Sequence, residues 1–216
     1  ITSCLMFIAR LMGEVEQITL GTGVTNLPVY HPVMLAGQIA MIDTMLDGKF
    51  IWGIGPGGLQ SDVEVFGNSD IDRNEKMVEV FEQILQIWWG EAPLNVSGKF
   101  NSFTTEASYY PEIGQGIAPK PVQKPHPPVV VTAVTPASHG ITLAAERGWQ
   151  PISCQYVHPH WIATHLPKYL EGLRNTGLPE DPTGYRVAKL IFVADDEATA
   201  ARYGKMEDAT IEKIWR

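Results

Sequence analysis

Five times along this chain a short run of apolar and β-branched residues gives way to a longer stretch whose apolar residues fall at helical spacing. Strand followed by helix, repeated, implies a parallel sheet with right-handed crossovers and helices over its faces. Gln17 to Val24 is the first run, and the helix after it opens at Pro32 and carries Leu35, Ile39, Ile42 and Leu46. Lys49 to Gly55 (KFIWGIG) is the next strand, closing in Gly55, Pro56, Gly57 and Gly58. Its helix is announced by Asp72 with Glu75 in capping-box spacing; Met77, Val80, Phe81, Ile84 and Trp88 form the buried stripe, and Gly90 ends it. Val129 to Thr132 is a continuous apolar strand, as a helix-covered parallel sheet requires, and Ser138 to Arg147 is its helix. Trp149 to Cys154 and Trp161 to Arg174 make a further pair. Val187 to Val193 is the last strand, followed by an Ala-rich helix with Asp195, Asp196 and Glu197 at its positive end.

Residues 91–128 interrupt this rhythm. SGKFNSF reads as a hairpin, and the prolines of PKPVQKPHPP hold an extended approach to the next strand, so the segment is a structured insertion in a single domain spanning 1–216. Two closures satisfy the pattern: an open doubly wound sheet, or part of an eight-stranded barrel. The dinucleotide fingerprint G-x-G-x-x-G is matched in spacing by Gly53, Gly55 and Gly58. No acidic residue follows at the end of a next strand, as that fold needs; the helix ending in Trp88-Trp89 occupies the place.

Composition narrows the partners. At 216 residues and 44% hydrophobic content the chain can bury a substantial core. A net charge of −8 without any Lys/Arg cluster argues against nucleic acid and against a polybasic membrane anchor, leaving a small molecule. Cys4 and Cys154 lie far apart with no C-x-x-C, so a reducing cytoplasm is the expected compartment. Asn95-Val96-Ser97 fits a glycosylation acceptor, but nothing else in the sequence suggests secretion. The opening run CLMFIARLMG reads as the second half of an amphipathic helix, and the final IEKIWR lies inside a helical pattern, so both ends read as cut.

The polar residues offer little acid–base chemistry. His158, His160 and His165 have the spacing H-x-H-x4-H, but no acidic ligand accompanies them; they read as helix-start and rim residues, and no metal site is expected. His31, before Pro32, reads as a helix cap. Asp62 and Glu64 are loop anchors or solvated charges, and Trp88-Trp89 core packing. No Ser/His/Asp triad or carboxylate pair stands out.

Three segments together, GTGVTNLPVYHP, KFIWGIGPGGLQSDVEVFG and PHPPVVVTAVTPAS, resemble the bacterial luciferase-like flavin monooxygenases, and most nearly their limonene monooxygenase-like branch. The likeness runs over nearly the whole chain. It implies a TIM-type (β/α)8 barrel, here a fragment covering about strands 3 to 7. It also places a non-proline cis peptide beside the flavin ring, which maps onto Gly23-Val24, with Thr22 preceding it. Glycine there lets a flat isoalloxazine approach the backbone; read without the family, Gly21 and Gly23 merely permit a bulge. Gly55, Pro56 and Gly57 sit at the strand end where barrel sites collect, as backbone contacts to the flavin or as a tight turn. Luciferase itself has a reactive cysteine and an arginine where this chain has Gly55 and Pro56, so light emission is not expected. Thr135 and Ser138 flank a helix start and take the family's FMN-phosphate role; ordinary capping is the other reading.

The activity implied is that of an FMNH2-dependent monooxygenase. Reduced flavin reacts with O2 at C4a to give a peroxide, C4a-peroxyflavin, which passes one oxygen to a hydrophobic substrate such as a terpene, ketone or aldehyde, while the protein keeps the pocket dry. A separate flavin reductase and a homodimer are expected with it. The family's histidine on the second strand would precede Ile1, so no catalytic residue is named. An F420-dependent oxidoreductase on the same fold and a non-catalytic flavin-binding protein remain the alternatives.

Overall fold

The computed structural model describes residues 3–189, 191 and 193–204. It divides into two compact units, 1–132 and 133–216.

The first unit begins with helix α1 (Cys4–Leu11), whose first turn is capped by the Ser3 hydroxyl accepting from Met6 N at 3.3 Å. The apolar opening is thus helical, as its pattern requires. The expected strand from Gln17 is shorter and split: β1 (Leu20–Gly21) and β2 (Thr25–Asn26) both run parallel to β3 (Phe50–Gly55), pairing Leu20 with Phe50 and Asn26 with Gly55. Between β1 and β2 the ladder continues through Thr22 N, which donates to Ile51 O at 3.2 Å.

Helix α2 (Pro32–Met45) joins the two strand positions. His31 caps it, Nδ1 accepting from Val33 N at 3.3 Å, and Pro32 at the first helical position loses no intrahelical bond. Leu35, Ile39, Ile42 and Leu46 are buried as their spacing requires. Asp47 and Gly48, both at positive φ, turn the chain into β3.

A short helix, α3 (Gln60–Val65), contains Asp62 and Glu64, which the sequence placed in a loop. Then comes α4 (Arg73–Trp89), capped by Asp72 through Asn74 N and Glu75 N. The capping box stays half closed, because the Glu75 carboxylate pairs with Lys99 Nζ at 2.7 Å. Alternation along β3 turns Phe50, Trp52 and Ile54 to one face. There Trp52 stacks on Phe81 at 5.5 Å and tilts against Trp88 at 5.9 Å. Each such side chain contributes about 1.5–3 kcal/mol of burial. Trp88 is buried, donating Nε1 to Ala36 O at 3.2 Å. Trp89 is not core: the residue is 37% exposed, its ring has Lys120 and Lys124 Nζ at 5.3 and 5.4 Å, and its Nε1 donates to Pro125 O.

The insertion contains the expected hairpin, β4 (Asn95–Ser97) antiparallel to β5 (Ser102–Thr104). Its turn is gripped by Glu79, whose carboxylate accepts from the backbone N–H of Lys99, Phe100 and Asn101 at 2.6, 2.9 and 2.8 Å. Fully buried Asp43 of α2 accepts from Gln123 N and Nε2 at 2.9 and 2.7 Å, fastening the proline-rich segment. β6 (Val129–Ala133) pairs parallel with β3 through Trp52–Val129, Gly53–Val130 and Ile54–Val131, and its end reaches the unit boundary.

In the second unit α5 (His139–Glu146), β7 (Gln150–Ser153) and α6 (Pro159–Asn175) follow the expected order. Ile141, Ala145, Tyr169 and Leu173 form its core, and the helices touch so closely at Gly172 that a Cβ would lie 2.4 Å from Thr142 O. Among the described residues the last expected strand is represented by β8 (Arg186–Val187), parallel to β7. Residues 190 and 192 of that expected strand, and the helical pattern at the C-terminus, lie outside the described residues. Helix α7 spans Glu197–Gly204. No helix among the described residues is long and apolar enough to cross a membrane, and Cys4 and Cys154 are free thiols.

Candidate functional site

In the first unit the candidate residues lie at the C-terminal ends of β1, β2 and β3. The Gly23-Val24 peptide is cis and contains no proline. Its neighbours are held tightly. Thr22 is buried and its hydroxyl donates to Gly53 O at 2.7 Å, so this side chain is a brace between strands. Gly53 is obligatory, because a Cβ on it would stand 1.9 Å from Thr22 O. A Cβ on Gly55 would meet Val24 Cγ2 at 2.9 Å and Thr132 Oγ1 at 3.9 Å.

Gly23 differs from these neighbours. A Cβ built on it meets nothing within 4 Å, and its φ is not positive. Among the described residues the backbone there borders open space. Asn26, whose amide lies against Gly57, has its Oδ1 buried with no hydrogen-bond partner among the described residues.

The loop after β3 is shaped by two contacts that the sequence reading missed. Gly57 has φ +79°, and a Cβ on it would fall 2.2 Å from Asn26 Nδ2. Its carbonyl accepts from Arg73 Nη1 at 2.7 Å, so the first residue of α4 fixes the path of Gly55-Pro56-Gly57. Arg73 thus acts on the loop carbonyl from another element.

In the second unit Thr135 is exposed and Ser138 half-buried, on the loop leading into α5. Ser138 is the N-cap residue, yet its hydroxyl makes no capping bond, which leaves it and the first N–H groups of α5 available to an anion. Ala137 between them adopts φ +49°, a conformation unusual for a residue with a side chain. The loop is anchored to α6: Ala137 N donates to Thr164 Oγ1 at 2.7 Å, and Thr135 O faces His165 Nε2 at 2.8 Å.

His165 is fully buried, and its Nδ1 lies 2.7 Å from Ser153 Oγ, which in turn bonds the Tyr185 hydroxyl. Burial raises the Tyr185 pKa above the ordinary tyrosine value, against a smaller lowering by Ser153, so the phenol keeps its proton at neutral pH. His158 caps α6, accepting from His160 N at 3.4 Å, and the two rings lie 4.0 Å apart. The three histidines thus have separate structural uses, and no metal-binding cluster occurs among the described residues. The buried use of His165 did have a sequence signal, since His165, Tyr169 and Leu173 repeat every fourth residue on one helix face.

The fit to a flavin can be judged within each unit. Open backbone at Gly23 suits the close approach of a flat ring. A helix start with an uncommitted hydroxyl suits a phosphate.

The chain is similar to known proteins over most of its length. The chain is 28% identical over 203 residues to limonene 1,2-monooxygenase of Rhodococcus erythropolis, covering 90% of this chain and 48% of that enzyme. Its fold matches the oxygenating constituent of 3,6-diketocamphane monooxygenase from Pseudomonas putida, a type II Baeyer-Villiger enzyme solved with FMN. The TM-score is 0.85 at 23% identity, covering 99% of this chain and 61% of that one. It also matches the coenzyme F420-dependent tetrahydromethanopterin reductase of Methanopyrus kandleri, with a TM-score of 0.69 at 22% identity over 92% of this chain and 57% of that one. The chain spans about half the length of the curated relatives it matches. The architecture is therefore part of a luciferase-type (β/α)8 barrel, the second of the two closures left open by the strand pattern. The luciferase-like monooxygenase family model matches residues 2–213 of the 216, and the chain belongs to that family.

Proposed function

We propose that this chain is the flavin-holding part of an FMN-dependent monooxygenase that places one oxygen atom of O2 into a hydrophobic organic substrate, a ketone or terpene. The observation that carries the reading is the backbone at Gly23, open among the described residues where the adjoining Gly53 and Gly55 are closely packed. Bound reduced FMN supplies the electrons that activate O2, one oxygen atom going to the substrate and the other leaving as water.

The chain's own residues bind and orient. Gly23 and Val24 present backbone to the ring, with Thr22 bracing them from behind through Gly53. Gly55, Pro56 and Gly57 follow the course that Arg73 imposes. In the second unit Thr135, Ser138 and the N-terminus of α5 supply hydroxyls, N–H groups and a favourable dipole for the phosphate. Residues 91–128 are an insertion in the barrel domain.

A separate flavin reductase follows from the two-component reading, which the description of the Pseudomonas relative as an oxygenating constituent supports. A homodimer is proposed with it. The outer face of α2 supports this, since Met34, Met41 and Met45 are exposed and the helix's one charged residue, Asp43, is buried. The F420 reading is favoured by one observation, the fold match to an F420-dependent reductase.

Turnover under 18O2 with enzymatically reduced FMN and a panel of cyclic ketones and terpenes tests the reading. One labelled oxygen per product molecule is expected. Reduction of a substrate by F420 without any label from O2 would replace the monooxygenase reading with hydride transfer.

A further inference from the structure

We propose that Thr164 and His165, adjacent residues on α6, act as a two-point clamp that sets the conformation of the 135–138 loop and so its capacity to hold a phosphate; this rests on the reading of that loop given above.

The contacts define the clamp. Thr164 Oγ1 accepts the Ala137 N–H at 2.7 Å while donating to Trp161 O at 2.6 Å, which fixes the direction of its proton. His165 Nε2 faces the Thr135 carbonyl at 2.8 Å. A carbonyl oxygen only accepts, so the ring proton must sit on Nε2. In the Nε2–H tautomer Nδ1 accepts from Ser153 Oγ, and Ser153 then accepts from the Tyr185 hydroxyl. Each donor in the series has one acceptor. The Thr135 carbonyl holds the His165 ring from one side and the Ser153–Tyr185 hydroxyl pair from the other.

The loop needs such a device. Ala137 holds φ +49°, a region that a residue with a Cβ occupies only when its surroundings impose it. One anchor grips its N–H and the other grips the carbonyl two residues earlier. Between and beyond them lie the uncommitted Ser138 hydroxyl and the first N–H groups of α5. If either anchor is released, Ala137 relaxes to negative φ, and the N–H groups that should converge on an anion turn away. Thr164 and His165 are therefore positioning residues that need not touch the ligand.

The test compares FMN with riboflavin, which carries the same ring and lacks the phosphate. Affinities for both are measured by fluorescence quenching on this chain and on Thr164→Val, His165→Phe, His165→Gln and Ser138→Ala. Thr164→Val preserves shape and guards against a folding defect. Thr164→Val, His165→Phe and Ser138→Ala should each lower the FMN-to-riboflavin affinity ratio by about three- to tenfold, the range of one net hydrogen bond. Riboflavin binding should stay unchanged. His165→Gln, which restores a donor to Thr135 O, should recover part of the ratio.

A fall with Ser138→Ala alone would overturn the clamp and leave the phosphate site standing. An unchanged ratio in every variant would overturn the phosphate reading and the clamp with it. Independently of any ligand, two-dimensional 1H–15N NMR of the His165 ring should show Nε2 protonated and Nδ1 bare. The opposite tautomer contradicts the clamp directly.

Discussion

The contrast between Gly53 and Gly23 provides the sharpest single test of the first unit. In Gly53→Ala the added methyl carbon would stand 1.9 Å from Thr22 O, whereas a carbon–oxygen contact needs about 3.3 Å, so the strands must part by roughly 1.4 Å. That movement breaks the Thr22 hydroxyl bond to Gly53 O and the Thr22 N bond to Ile51 O. Two hydrogen bonds at about 1 kcal/mol each, with about 1–3 kcal/mol for overpacking, give a loss of about 3–5 kcal/mol. For a chain of this size that is a fall in Tm of roughly 6–20 °C. Gly23→Ala meets no atom within 4 Å and requires no positive φ, so its stability should stay within about 0.5 kcal/mol of the parent. The same methyl intrudes where the flavin ring is proposed to lie. FMN affinity should fall by roughly five- to hundredfold, the equivalent of about 1–3 kcal/mol of overpacking. Circular-dichroism melts and FMN titrations of both variants read the two effects separately. A Gly23→Ala protein that binds FMN like the parent would refute ring contact at this strand end, and a Gly53→Ala protein of parental Tm would refute the close approach at Thr22.

Other perturbations have defined outcomes. Asp43→Asn sets an amide N–H against the Gln123 donors, and urea denaturation should show a loss of about 2 kcal/mol. Trp88→Ala should cost about 3–5 kcal/mol by the same assay, whereas Trp89→Ala, on the surface between two lysines, should cost no more than about 1 kcal/mol. The Tyr185 pKa is raised in the fold, chiefly by burial, so its contribution is fully present below the ordinary tyrosine pKa and is lost as pH rises through the folded value. Stability measured from neutral to strongly alkaline pH should therefore fall less steeply in Tyr185→Phe than in the parent.

What the sequence made legible was local and periodic. The stripes of α2 and α4, the Asp72 and His31 caps, the continuous apolar run of β3 and the hairpin at 95–104 follow from spacing and cap chemistry within a few residues. The cis Gly23-Val24 peptide was legible only through family resemblance. The polar contacts that fix the loops were not legible, because their partners lie far apart in the chain. Asp43 meets Gln123, Glu79 meets residues 99–101, Arg73 meets Gly57, and Ser153 meets His165 and Tyr185, with nothing in either local pattern to pair them. Trp89 misled because adjacency to Trp88 suggested a shared core, while a helix turns neighbouring residues by about 100° and sends the second ring outward.

The central claim is that this chain holds a flavin through its own strand ends and helix start. Anaerobic titration of the chain with reduced FMN and, in parallel, with reduced F420 tests it most directly. Saturable one-to-one binding of FMN, weakened by Gly23→Ala and by Ser138→Ala, is the predicted result. Preference for F420, or FMN binding indifferent to both substitutions, would contradict it.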